Sequence, residues 1–170
     1  IISLRGKFQN YNLFADATID KLFTPEDLKT ALVLNANYLE SAFIRNNGKG
    51  VFEIVALPTA AQVAPIKGMV AEDFDGDGAL DIVMNGNDYG TEVSVGRYDA
   101  FNGLYMKGDG KGGFSPMQIN QSGFYIPGNG KSLVKLRKQG GATLLAAAQN
   151  RGPIKIFEWK NIPLICGNCN

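Results

Sequence analysis

From residue 38 onward the chain is a succession of short apolar runs cut by turns rich in Gly, Asn and Lys, a pattern of strands and hairpins. Leu80-Asp81-Ile82-Val83-Met84 is apolar and β-branched and stops at Asn85-Gly86, which predicts a strand ended by a turn. A last strand is predicted over Ile154 to Trp159. The longest apolar run, Leu144 to Ala148, falls far short of the roughly 20 residues of a membrane-spanning helix, so no span is expected. One segment reads as helix, Thr24-Pro25-Glu26-Asp27-Leu28-Lys29-Thr30-Ala31-Leu32. In it Thr24 caps, Pro25 suits the first turn and Asp27 sits at the capping-box position. It is predicted to be a short insertion plugging a connection, with Leu28, Ala31 and Leu32 on its inner face.

The strand pattern repeats. Phe43-Ile44-Arg45-Asn46-Asn47-Gly48-Lys49-Gly50-Val51-Phe52 recurs as Tyr105-Met106-Lys107-Gly108-Asp109-Gly110-Lys111-Gly112-Gly113-Phe114, with Gly48, Lys49, Gly50 and Phe52 each matched 62 positions later (110 − 48 = 62). One further residue of offset sets Asp73, Asp75, Asp77 and Asp81 against Leu136, Lys138, Gly140 and Leu144, Gly78-Ala79 against Gly141-Ala142, and Asn87 against Asn150. Each unit reads as an apolar strand, a hairpin turn, an aromatic strand, a loop and a buried strand, hence one small antiparallel sheet. Repeats of roughly 40–50 residues with four strands mark propeller blades, and inserted loops account for the longer period here.

Candidate chemistry concentrates between two of these strands. Asp73-Phe74-Asp75-Gly76-Asp77-Gly78-Ala79-Leu80-Asp81 crowds four carboxylates around two glycines, a charge density that calls for a cation. Calcium takes six to eight oxygen ligands at roughly 2.3–2.6 Å, so the loop must turn tightly enough to aim several carboxylates at one point. Asp73, Asp75 and Asp77 occupy the first, third and fifth positions, Gly76 and Gly78 permit positive φ, the Ala79 carbonyl supplies a main-chain ligand and Asp81 closes the shell. The helix-loop-helix calcium motif requires an acid at position 12, where this chain has Met84, so the ion is expected between strands. Magnesium fits less well because it keeps its waters. The second copy retains the strand and lacks the acids, so one calcium is expected.

The pairing of the turn Asn46-Asn47-Gly48-Lys49-Gly50-Val51-Phe52 with the downstream Asp73-Phe74-Asp75-Gly76-Asp77-Gly78-Ala79-Leu80-Asp81-Ile82-Val83 resembles the FG-GAP and VCBS repeat family of integrin-α-like β-propellers, over roughly residues 38 to 159. The resemblance implies a calcium ion between two strands of a blade, held by Asp73, Asp75, Asp77, Ala79 and Asp81, and an extracellular role in adhesion or ligand binding. The acid-free second repeat and an N-terminal third without the motif are departures from the family pattern.

Length bears on the architecture. At this period 170 residues make fewer than three blades, whereas closed propellers use roughly four to eight, so the chain alone closes no ring. Either it is a piece of a longer protein, the preferred reading, or copies associate to cover their edge strands. The start at Ile1-Ile2-Ser3, without an initiator methionine or signal peptide, is read as processing or truncation.

Composition narrows the function. With 45% apolar residues, 21 glycines and 19% charged residues the chain reads as ordered and β-rich. A net charge of +1 without a basic run gives no electrostatic case for nucleic acid or an anionic membrane. There is no histidine, which removes the usual general base and the triads built on it. Cys166-Gly167-Asn168-Cys169 is a lone pair of cysteines where zinc wants four ligands, and it reads as a dispensable tail. Tyr89, Arg97, Tyr98 and Asp99, in the loop Asn87 to Asn102, are the one place where a lyase or hydrolase acting on acidic polysaccharides would put its chemistry.

These readings combine into an all-β chain, a β-propeller segment of about two to three blades built from repeated antiparallel sheets with one short helical insertion. Residues 1–37 are expected to hold a partial blade and the helix, 38–100 the repeat with the calcium loop, 101–160 a degenerate repeat and 161–170 a tail. The expected function is a non-catalytic, calcium-stabilised binding or scaffold module of an exported, extracellular or periplasmic protein, with a protein or carbohydrate ligand. The alternatives are part of a polysaccharide lyase or hydrolase, and a self-assembling propeller whose second copy covers Phe8 and Phe14.

Overall fold

The computed structural model describes residues 4, 6–8, 10–139 and 143–159. The Cys166/Cys169 pair, Ile1 to Ser3 and the predicted match at Gly140 to Ala142 lie outside the described residues. Two compact units divide the chain, Ile1–Leu39 and Glu40–Asn170.

In the first unit, three short helices, α1 (Tyr11–Ala15), α2 (Ile19–Leu22) and α3 (Pro25–Lys29), stand where one was expected, and there is no strand among the described residues. α3 carries the anticipated capping box: Thr24 Oγ1 accepts from Asp27 N at 3.2 Å while Thr24 N donates to Asp27 Oδ2 at 2.9 Å. The helix stops at Lys29, so Ala31 and Leu32 lie beyond it, and Leu32 is 82% exposed. A helix this short gains little from its own hydrogen bonds, and no apolar face is buried here to extend it. Phe8 and Phe14 meet edge to face at 5.7 Å, with Phe14 largely exposed.

The second unit is three antiparallel sheets, which bears out the all-β reading; none of them is closed. β1 (Ala42–Asn46) and β2 (Phe52–Ala56) form a hairpin. β3 (Ile66–Glu72), β4 (Asp81–Gly86), β5 (Leu104–Gly108) and β6 (Phe114–Met117) form a four-stranded meander that spans residue 100. β7 (Gly130–Arg137), β8 (Thr143–Gln149) and β9 (Lys155–Trp159) form the third sheet. Short helical turns at Thr59–Ala61 and Ile119–Ser122 (α4) lie in the connections.

The meander is covered on both faces. Side chains alternate along a strand, so pairing Ile82 with Met106, Val83 with Tyr105 and Met84 with Leu104 sorts these residues onto two faces. Val83 and Tyr105 join Phe74, Leu133, Leu145 and Ala147 in a core shared with the third sheet. Met84, Leu104 and Met106 join Leu57, Phe101, Phe43 and Phe114 in a core shared with the β1–β2 hairpin. The aromatic strand beginning at Tyr105 thus serves two cores at once.

β4 runs through Asn85 and Gly86, which were expected to end it. Asn85 Nδ2 donates to Ser132 O at 3.0 Å, tying β4 to β7. Gly86 is required by a close approach: a Cβ there would lie 2.2 Å from Pro65 O. The chain turns one residue later at Asn87, whose φ is +87°. Asn87 is fully buried, accepts from Phe101 N, and donates to Phe101 O and Gly128 O, so one amide closes the loop that precedes β5 and fastens it beside β7.

Candidate metal centre

The aspartate loop is the connection between β3 and β4. Gly76 and Gly78 have φ of +79° and +87°, conformations that a side chain opposes, and these glycines let the chain fold back on its own carboxylates. Asp73 Oδ1 accepts from Gly76 N at 2.7 Å and Asp77 N at 3.2 Å, and its Oδ2 accepts from Gly78 N at 2.9 Å. Asp77 Oδ1 accepts from Ala79 N at 2.8 Å.

Asp81, the first residue of β4, anchors the loop from inside. It is fully buried and accepts from Phe74 N at 3.2 Å, Tyr105 Oη at 2.5 Å and Gly108 N at 2.9 Å. Phe74, between the first two aspartates, is also buried; it lies 4.7 Å from the Trp159 ring, whose indole N–H donates to its carbonyl. Trp159 stacks on Tyr105 at 5.4 Å. Burial, and then the hydrogen bond to Asp81, push the Tyr105 hydroxyl pKa well above its ordinary value. The loop is therefore pinned to the core through Phe74 and Asp81.

Three of the predicted ligands converge: Asp73, Asp75 and Asp81 each offer an oxygen within 4.8 Å of the others. Three carboxylate oxygens this close together form a hard, oxygen-only donor set that could hold a metal ion. Asp77 meets a different cation. The Lys107 ammonium, from β5, donates to Asp77 Oδ2 at 2.9 Å and also to Asp75 Oδ2. These two contacts, Asp75 first, hold the Lys107 pKa well above the usual lysine value, and the ammonium keeps Asp77 below the usual carboxylate range. An open cleft of about 480 Å³ lined by Asp77, Ala79, Lys107 and Asp109 borders the loop.

In the sequence Tyr105, Lys107 and Gly108 stand out only as members of the repeat, which aligns Lys107 with Arg45; their meeting with the acidic loop is a product of the fold.

The other candidate, the loop Asn87 to Asn102, is closed by a bridge between Asp88 and Tyr98. Tyr89 donates to Asp99, and the Arg97 guanidinium lies 4.9 Å from the Tyr89 ring centroid. Tyr89 and Arg97 line a cleft at this end of the strands; Tyr98 does not and is half-exposed. Among the described residues no helix is long and apolar enough to cross a membrane. Neither the protein-family models, nor the curated proteins, nor the solved structures include a match to this chain.

Proposed function

We propose that residues 40–159 are consecutive blades of a β-propeller, stabilised by one calcium ion at the β3–β4 loop, and that they act as a non-catalytic binding or scaffold module of an exported protein. In this reading Asp73, Asp75, Asp77, the Ala79 carbonyl and Asp81 hold the ion, and Lys107 gives up Asp75 and Asp77 when the ion binds.

The observation that carries the metal assignment is the convergence of Asp73, Asp75 and Asp81 on a loop already pinned to the core. The blade assignment draws support from the sheets themselves. β7–β8 repeats the β3–β4 pairing, with Gly130 opposite Gln149 as Ile66 is opposite Gly86, and with the same irregularity one pair later. The face of β3–β5 carrying Val70, Val83 and Tyr105 is covered by the third sheet, and the matching face of that sheet leaves Val134, Leu136 and Ile156 exposed. At the other end Met106 is buried under the hairpin while Ile44, its counterpart in the repeat, is 62% exposed. Both free faces suit further blades, from a longer chain or from a second copy.

The ion would act by mass action on the folded state, stabilising it by about 2.7 kcal/mol at a hundredfold excess over a dissociation constant of about 10⁻⁴–10⁻³ M, the range of extracellular modules. Thermal melts in EDTA and in calcium raised to about 10–100 mM, with a sizing column in both states, test this. Melting should rise by several degrees with calcium in the parent, and the double variant Asp75→Ala, Asp77→Ala should lose that rise. Equal melting of parent and variant in both buffers would sink the calcium assignment.

A further inference from the structure

At the end of β3 and β4 remote from the aspartate loop, about 20 Å away by strand rise, a cleft of about 520 Å³ opens between the Asn87 to Asn102 loop and the ends of β7 and β8. Its volume is within the usual range of small-molecule sites. Its charge is unbalanced: Arg97, Lys131 and Arg151 line it against the single carboxylate of Asp88. That carboxylate is already shared, lying 3.1 Å from Lys67 and 4.0 Å from Lys131. The backbone N–H of Gly90, then Lys67, hold the Asp88 pKa below the ordinary carboxylate range. Neither Arg97 nor Arg151 has a carboxylate partner among the described residues.

Two further features point to a ligand. Arg97 is positioned by the Tyr89 ring, which is itself fastened by its hydrogen bond to Asp99, so the guanidinium is held at the cleft without being neutralised. Asn129, only 4% exposed, lines the same cleft, and its Oδ1 has no hydrogen-bond partner. An orphaned buried acceptor is a cost to the folded state that a donor arriving with a ligand relieves. The Gln149 and Asn150 amides, also in the lining, each offer both donors and acceptors. Excess cations select an anion, and a wall of amides with an unsatisfied acceptor selects hydroxyl groups.

We propose that this cleft binds an acidic saccharide, with the carboxylate of a uronate unit between Arg97, Lys131 and Arg151 and its hydroxyls on Asn129, Gln149 and Asn150. This deepens the binding-module reading and rests on it, while requiring nothing of the calcium loop. The test is isothermal titration of the full chain with digalacturonate, its methyl diester and inorganic phosphate. Saturable binding of digalacturonate is expected, weakened at least tenfold for the ester and at least tenfold in Arg97→Gln and in Arg151→Gln, with parental melting in both exposed-residue variants. Equal affinity for acid and ester, unchanged affinity in both variants, or phosphate binding as tight as digalacturonate would each overturn the proposal. Repeating the titration in Asp75→Ala, Asp77→Ala separates the two readings. Uronate binding retained without any calcium response in the parent sinks the metal assignment alone. A calcium response without uronate binding sinks the cleft alone.

Discussion

The hairpins β3–β4 and β7–β8 share one frame and differ in what closes it. Glu72 is paired with Asp81 at the end of the first and Leu136 with Leu144 one pair before the end of the second, each the fifth pair after the irregularity, so Asp81 and Leu144 occupy the same place. The sequence offset agrees for Asp81 but sets Asp73 against Leu136, whereas the pairing sets Glu72 there, because one residue fewer separates the matched positions in the second hairpin, 137–143 against 73–80. Even the exit is repeated: Asn87 N donates to Pro65 O at 3.0 Å, and Asn150 N to Asn129 O at 2.9 Å. The frame is thus carried by backbone pairing and apolar faces, while the loop chemistry is a separate layer that one copy has and the other lacks.

Exchanging the residues at this shared position gives the largest expected effect. Asp81→Leu, which installs the residue of the second hairpin, leaves Phe74 N, Gly108 N and the Tyr105 hydroxyl without an acceptor in the core. It should cost about 3–5 kcal/mol in a urea melt, since unpaired buried donors each cost about 1–3 kcal/mol. A loss below about 1 kcal/mol would mean that the three donors find other acceptors once the carboxylate is gone. Leu144→Ala, at the half-buried counterpart, should cost distinctly less.

A smaller effect separates the protein's own cation from an added one. Lys107 is 35% exposed, so solvent screening leaves its pairs with Asp75 and Asp77 about 1 kcal/mol at most. Lys107→Gln should lower calcium-free stability by that much or less and tighten calcium binding about fivefold, the effect of removing about 1 kcal/mol of repulsion. Weaker calcium binding in the variant, measured by titration, would show that the lysine supports the ion site.

The smallest effect compares the two repeated turns. Asp109 Oδ1 accepts from Lys111 N and Gly113 N, and these N–H groups hold its pKa below the ordinary aspartate value of 3.8. A lowered pKa contributes stability above 3.8 that is lost as pH falls through the folded value. The β1–β2 turn is tied by Asn46, which accepts from Gly48 N at 2.9 Å and does not titrate. Amide exchange should therefore show Lys111 and Gly113 losing protection in acid while Gly48 does not; equal loss would dissociate the effect from Asp109.

Much of this was present in the chain as written. The repeated Gly-Lys-Gly turn with its following Phe, the strand ending at Trp159 and the Thr24 cap depend on neighbours within a few residues, and local conformational preference suffices for them. The same holds for the two glycines that let Asp73 gather three backbone amides.

Other features required distant partners. Asn85-Gly86 has the composition of a turn, yet Ser132 and Pro65 hold it in β4, because a close-packed neighbour outweighs a local turn preference. Lys107 reaches Asp75 only because β5 pairs with β4, and the cleft of Arg97, Lys131 and Arg151 forms only because β7 packs beside β3. The sequence by itself determined that the chain from residue 38 onward alternates strands and turns, and where the acids cluster. Tertiary packing decided which cation those acids meet and which charges are left without a partner, because both depend on distances between residues far apart in the chain.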